Sequence, residues 1–164
     1  MADPVFTLLA VTHAGFPLGV ARRALDELTT LATNKRRGAA TSCVAETGDA
    51  QVVLARAEGG LQAARAFVLD ALGELWTTAC AGDTPNLELR ARVQLAVLNA
   101  HRAAEAAVDT LLPLAGAAGV YSSRPLQRCF RDIHTAGQHI FVSADAWKRY
   151  AQLRLGIDQP TFMI

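Results

Sequence analysis

The sequence predicts an all-α protein that forms an antiparallel up-down-up-down four-helix bundle. Alanine and leucine dominate the 164 residues, 51% of which are apolar, and runs of β-branched residues are short. Hydrophobic residues recur at helical spacing in long blocks, which a few clear breaks separate. A chain of this length normally forms one domain around one core, and short connections make successive helices antiparallel.

Two helices are expected in the first half of the chain. The first covers residues 5–35 and carries one apolar face, with Pro17 expected to kink it; the face consists of Leu18, Leu25, Leu28 and Ala32. A polar stretch follows, in which Thr47 and Asp49 are suitable N-caps. The second helix covers residues 49–80, and its apolar positions are Leu54, Leu61, Val68, Leu72 and Leu75.

Glycine and proline delimit the two remaining helices. Gly82 and Pro85 mark the clearest break, after which apolar residues continue at helical spacing to Leu111. Pro113 ends this third helix, and Pro125 suits the first turn of a fourth, where its missing N–H costs nothing. The fourth helix is expected to run over residues 125–155.

Charge and composition exclude several classes of function. The 16 basic and 15 acidic residues leave a net charge of +1, which gives no field to attract nucleic acid or an anionic membrane. The first residues have no basic leader and are too interrupted for a membrane span. The three cysteines have no CxxC spacing. We therefore expect a soluble cytoplasmic protein that binds neither nucleic acid nor a membrane.

Ionisable residues concentrate in the stretch RCFRDIHTAGQH, residues 128–139. On a continuous helix they form one stripe, with Arg131 at its edge; the stripe consists of Arg128, Asp132, Thr135 and His139. Periodicity alone favours a solvated face with an Arg128–Asp132 ion pair. His134 and His139 would lie about 140° apart on such a helix, and no HExxH or Glu-x-x-His motif occurs, so no metal site is expected.

Three segments together resemble the C-terminal helical domain of the acyl-CoA dehydrogenase-like flavoproteins, in particular their type 2 branch of two-component flavin-dependent monooxygenases. They are PLGVARRALDELTTLA, RAEGGLQAARAFVLDALGELW and LAGAAGVYSSRPLQRCFRDIHTAGQHIFVS. The most specific feature is PLQRxxRD followed seven residues later by histidine. The resemblance implies an oxidoreductase with a flavin cofactor, FAD or FMN, held between domains and across a subunit boundary.

The resemblance also implies which residues meet the flavin. His139 aligns with a histidine that faces the reduced flavin and assists oxygenation, and it is the expected catalytic residue. Ile140 occupies the position of the carboxylate base that dehydrogenases of the family carry, which favours oxygenation over dehydrogenation. The expected cofactor-binding residues are the turn residues Gly116, Ala117 and Gly119 together with the pair Arg131 and Asp132.

The expected domain organisation is one helical domain over residues 1–164, without the N-terminal helical and middle β-barrel domains that full-length relatives carry. The chain is therefore expected to act on a small-molecule substrate only with those domains or an equivalent subunit, to be inactive alone, and to form a homodimer or homotetramer. Alone it need not bind flavin. Two alternatives stay open: a non-catalytic helical assembly module or partner subunit, and an acyl-CoA dehydrogenase whose base lies elsewhere.

Overall fold

The computed structural model describes residues 4–36 and 42–158, and the regular structure there is helical throughout, without a strand. The five α-helices are α1 (Pro4–Asn34), α2 (Gly48–Cys80), α3 (Leu87–Leu111), α4 (Pro125–Ala136) and α5 (Ala144–Arg154). Three 3₁₀ segments connect them, at Val44–Glu46, Leu112–Gly119 and Ile140–Val142. The all-α prediction is confirmed.

The first three helices begin and end within a few residues of the predicted positions. The first helix, α1, continues through Pro17, which lies inside it. Asn86 caps α3, because its side-chain oxygen accepts a hydrogen bond from the backbone N–H of Leu89 at 2.8 Å. The break at Gly82 has a positive φ of 78°, a conformation that glycine adopts without steric cost.

The prediction of a single fourth helix over residues 125–155 is wrong. The helix α4 ends at Ala136, with Gly137 as its C-cap, and α5 begins only after Ser143. Between them His139 has an extended backbone, with φ −72° and ψ 142°, and precedes the Ile140–Val142 turn. Gly137 and the β-branched Ile140 and Val142 have low helix propensity, and Ser143 at the N-cap favours a new start. His139 therefore does not extend the α4 stripe.

Helix α3 lies at the centre of the packing, in contact with all four other helices. One core cluster joins α1, α3 and α4 through Leu25, Leu28, Leu111 and Ile133, each at most 2% exposed. A second cluster packs α2 and α3 against the segment around Val142. The predicted α1 face is confirmed at Leu25, Leu28 and Ala32, and Leu18 is half-buried.

Ion pairs fasten the exposed edges of the helices. Arg22 on α1 contacts Glu58 on α2 at 2.6 Å, while Arg92 on α3 pairs with Asp70 and Glu74 on α2. Such exposed pairs typically contribute less than about 1 kcal/mol each. Among the helices described, none combines the length and the apolar character that a membrane crossing requires.

Candidate functional site

A groove of about 950 Å³ runs between α1 and the start of α4. Gly15 and Gly19 form part of its α1 wall, where the absence of side chains leaves room. Four arginines and one aspartate line it: Arg23, Arg124, Arg128, Arg131 and Asp132. A concave surface with this excess of guanidinium groups suits an anionic or strongly polar ligand.

The charges in this groove are only partly compensated. Arg128 contacts Asp132 at 3.3 Å, which confirms the predicted ion pair. Arg23 contacts Glu27 one turn along α1 at 2.5 Å. Arg131 is exposed and makes no ion pair within residues 4–36 and 42–158. Its guanidinium group is thus available to a ligand in the groove.

The Leu112–Gly119 segment, here called the glycine turn, contains the other predicted cofactor-binding residues. Gly116 has φ 53° and ψ −137°, a conformation that other residues rarely adopt. Lys35 donates a hydrogen bond to the carbonyl of Ala115, and a Cβ atom at Gly116 would lie 3.1 Å from the Lys35 Nζ. Gly116 and Ala117 are exposed, so their backbone is open to a ligand.

Gly119 has a different structural role from Gly116. It is buried, and a Cβ atom there would lie 3.1 Å from Leu112 Cδ1 and 3.2 Å from the Leu112 carbonyl oxygen. Contacts this short favour glycine, because a Cβ atom would fit only if Leu112 moved by a few tenths of an ångström. Beside the turn, a second groove of about 260 Å³ shares Arg124 and Pro125 with the first, so the two grooves adjoin at the start of α4.

His139 lies at the opposite end of α4 from the glycine turn. A 12-residue helix is about 18 Å long, which sets the scale of the separation. Its Nδ1 accepts a hydrogen bond from the backbone N–H of Phe141 at 3.3 Å, so the neutral ring carries its proton on Nε2. The side chain is exposed, and Nε2 has no hydrogen-bond partner in the described part of the chain. It is an available donor.

Two further histidines lie behind His139, and together the three rings form a column, here called the histidine column. The His13 ring on α1 stacks on His139 with centroids 4.7 Å apart, and the His101 ring on α3 lies 6.3 Å beyond His13. His101 is 1% exposed, and neither ring nitrogen has a hydrogen-bond partner among the described residues. Gly137 leaves space for it: a Cβ there would lie 3.0 Å from His101 Nε2.

Burial sets the charge state of the inner part of the histidine column. It lowers the pKa of His101, and the nearby carboxylate of Glu105 opposes this effect only in part. Burial also lowers the pKa of His13, and the imidazole of His139 lowers it further. Both rings are therefore neutral near pH 7.

We predict that acid destabilises the protein through this column. Below about pH 6.5, the ordinary pKa of histidine, His13 and His101 bind protons in the unfolded chain but not in the folded one, where their pKa values are lower. Stability then falls with pH, by at most about 1.4 kcal/mol per pH unit for each proton. Urea unfolding between pH 7.5 and 5.5 measures this slope, and His101→Gln should flatten it. An unchanged slope in the variant would exclude His101 as its source.

The structure places the predicted site residues at three separate positions along α4. Arg131 and Asp132 share the arginine-lined groove, Gly116 and Ala117 lie on the adjoining glycine turn, and His139 lies past the far end of α4. His13, which is not among the predicted site residues, packs on His139. His134 contacts Glu105 at 3.2 Å and Asp109 at 2.8 Å on α3.

Sequence reasoning missed Lys35, His13 and His101. Glu105, four residues after His101 on α3, pairs with Arg102 and His134. Within the described ranges, no group of three or more histidine, cysteine, aspartate or glutamate side chains is arranged to hold a metal ion. Lys35, His13 and His101 make their contacts with residues far away in the chain. Such contacts leave no local pattern in the sequence by which these three residues could have been identified.

The fold and the site together define a class of protein: an all-helical domain with a basic groove, a glycine turn and an exposed, oriented imidazole. The chain belongs to the acyl-CoA dehydrogenase family: residues 11–144 match the model described as "Acyl-CoA dehydrogenase, C-terminal domain". It is 34% identical over 125 residues to an indole-3-acetate monooxygenase of Pseudomonas putida, covering 76% of this chain and 32% of that protein. A pigment production hydroxylase of Rhodococcus erythropolis is 32% identical over 107 residues, covering 64% of this chain and 27% of that protein.

Solved structures show the same fold over most of the chain. The 3-HSA hydroxylase from Rhodococcus sp. RHA1 superposes with a TM-score of 0.87 at 24% identity, covering 99% of this chain and 42% of that one. XiaF from Streptomyces sp., solved in complex with FADH2 and glycerol, gives 0.85 at 24% identity, covering 93% and 39%. The chain thus spans about a third of the curated relatives and two fifths of these structures. The resemblance to the C-terminal domain of this flavoprotein family is confirmed.

Proposed function

We propose that this chain is the C-terminal domain of an acyl-CoA dehydrogenase-like flavin-dependent oxidoreductase, a two-component monooxygenase supplied with FADH2 or FMNH2. Family membership and relatives named as monooxygenases and hydroxylases support the class. The observation that carries the proposal is the exposed His139 imidazole, whose backbone hydrogen bond leaves Nε2–H free to donate. Ile140 in place of the dehydrogenase carboxylate favours oxygenation.

The residues of the site fit a flavin. Gly116 and Ala117 expose backbone at a turn where a side chain at Gly116 would crowd Lys35, so a nucleotide could approach closely there. Arg131 and its neighbouring arginines would hold the anionic phosphate, with Asp132 keeping Arg128 in place. Gly119 would act by packing the turn. The flavin, when bound, supplies the redox chemistry and the activation of oxygen.

His139 would act on the reacting groups as a hydrogen-bond donor. Its Nδ1 accepts a hydrogen bond from the Phe141 N–H, so Nε2–H is the group free to donate a hydrogen bond to a developing negative charge. The backbone N–H donor of Phe141 therefore fixes which ring nitrogen faces the reacting groups.

The proposed architecture is a single domain over residues 1–164 in which α1 to α4 form an antiparallel up-down-up-down bundle and α5 covers one end. The α1–α4 groove and the glycine turn would complete a flavin site with further domains or an equivalent subunit, and in a homodimer or homotetramer. The substrate is a small molecule whose pocket those parts supply. The chain alone, mixed with reduced flavin and oxygen, should give no substrate turnover.

A chimera tests this proposal. The matched C-terminal part of the Pseudomonas putida indole-3-acetate monooxygenase, to which 125 residues of this chain align, is replaced by this chain. We expect a folded protein that oxidises indole-3-acetate in the presence of reduced flavin. The measurement is product formation per flavin oxidised, with the unaltered enzyme as the reference.

A folded chimera of the reference enzyme's oligomeric size that neither retains flavin nor oxidises substrate would contradict the proposal. That result would favour the alternative of a helical assembly module. Rapid bleaching of the flavin by an acyl-CoA under anaerobic conditions would favour a dehydrogenase instead, because reduction of the flavin by substrate is the dehydrogenase half-reaction.

A further inference from the structure

His139 is held on two sides by aromatic rings. The His13 ring stacks on it at 4.7 Å with 30° between the planes, and the Phe141 ring tilts against it at 4.9 Å and 47°. Offset stacking at such distances is favourable and orients both rings. With the backbone hydrogen bond to Nδ1, these contacts restrict rotation of the His139 side chain, although it is exposed.

His13 itself is well anchored for this task. It lies on α1 one turn before Pro17, half-buried, and it also contacts the edge of Phe141 at 6.4 Å. Behind it, the buried His101 ring is nearly parallel, with 22° between the planes. His139, the exposed ring of the histidine column, is therefore connected through His13 to the buried His101 ring on α3.

The His13 nitrogens do not explain its position. Its buried Nε2 has no hydrogen-bond partner among the described residues. The titratable group that acts on the pKa of His13 is the imidazole of His139. His13 in turn acts on His101, which also faces Glu105, Arg102 and His134. What His13 offers to His139 is thus the face of an aromatic ring.

We propose that His13 is a positioning residue for His139: its ring face holds the His139 imidazole so that Nδ1 stays on the Phe141 N–H and Nε2–H stays directed to the reaction. The inference rests on the proposed function for its catalytic consequence, and on this chain alone for its structural part. His13 donates and accepts no proton in the reaction.

Two substitutions separate the ring face from the nitrogens. His13→Phe keeps an aromatic face of similar size and removes both nitrogens, whereas His13→Leu keeps an apolar side chain and removes the face. Long-range ¹H–¹⁵N correlation spectra of the chain report the His139 tautomer directly. We expect His13→Phe to retain the single Nε2–H tautomer and His13→Leu to show an exchanging mixture.

The same variants in the chimera provide the catalytic readout. His13→Phe should keep oxygenation near that of the unsubstituted chimera, and His13→Leu should lower it by roughly tenfold to a hundredfold, since misplacement of a reacting group costs that much. Circular dichroism checks that both variants fold. Equal behaviour of the two variants in the tautomer spectra would overturn the proposal.

The two hypotheses fail in different ways. If the chimera shows no oxygenation but the tautomer depends on the His13 ring, the proposed function fails and the positioning contact stands. If His13→Phe retains the tautomer but loses oxygenation as His13→Leu does, His13 acts through its nitrogens and the positioning role is overturned, while the proposed function stands.

Discussion

Replacing His139 with alanine in the chimera should lower coupled oxygenation by about 10²- to 10³-fold, the usual cost of removing one preorganised hydrogen-bond donor. The variant removes the imidazole that the Phe141 N–H orients and whose Nε2–H is free to donate. Flavin should still bind, because the groove and the glycine turn lie at the other end of α4. Product per flavin oxidised measures the loss.

His134→Ala is the matched control for this variant. His134 lies on α4 five residues earlier, but its ring nitrogens contact Glu105 and Asp109 on α3, so it holds two helices together. We expect oxygenation within a few-fold of the unsubstituted chimera. Equal losses in the two variants, or full activity without His139, would remove His139 from the chemistry.

Replacing Ile133 with alanine should destabilise the domain by about 2–5 kcal/mol, the range observed for such truncations in cores. Ile133 is fully buried in the cluster that joins α4 to α1 and α3. The cavity would loosen the helix that carries Arg131 and Asp132. Urea unfolding of the purified chain measures the free energy of unfolding.

Ile140→Ala makes the same chemical change at an exposed position. Ile140 is 55% exposed in the turn that follows His139, so its loss should change the free energy of unfolding by less than about 0.5 kcal/mol. Similar losses at the two positions would show that the domain is not packed around α4 as described.

The helices α1, α2 and α3 could be predicted because each has a long apolar period and a clear stop. Gly82, Pro85 and Pro113 are local signals that act within a few residues. The Arg128–Asp132 pair was also local, since residues four apart on a helix are neighbours. Periodicity therefore identified most of the fold.

The end of α4 was missed because alternating apolar and polar residues continue through it. The local signals at Gly137 and Ser143 are weak, and packing of Phe141 and Val142 into the core adds to them in favouring the interruption. The prediction that His139 shares a face with Arg128 failed with that helix. The family resemblance identified His139 as a candidate site residue. Periodicity instead placed it inside a continuous fourth helix, whereas it lies in the connection between α4 and α5.

The histidine column was beyond sequence reasoning for a different reason. His13, His101 and His139 lie on three elements and are separated by 88 and 38 positions in the chain. No pattern in a single sequence indicates that α1 and α3 place His13 and His101 next to one another and close to His139. The contact of Lys35 with the glycine turn, 80 residues away, is likewise a product of helix packing.

The central claim is that the face formed by the glycine turn, α4 and His139 meets a flavin. The most direct measurement is a ¹H–¹⁵N correlation spectrum of the labelled chain titrated with FMN and, separately, with FAD. We predict weak binding with shifts concentrated at the amides of Gly116, Ala117, Arg131, Asp132 and His139, while Gly59 and Gly73 on α2 stay unchanged. Shifts confined to α2, or spread equally over α2 and these five amides, would contradict the account.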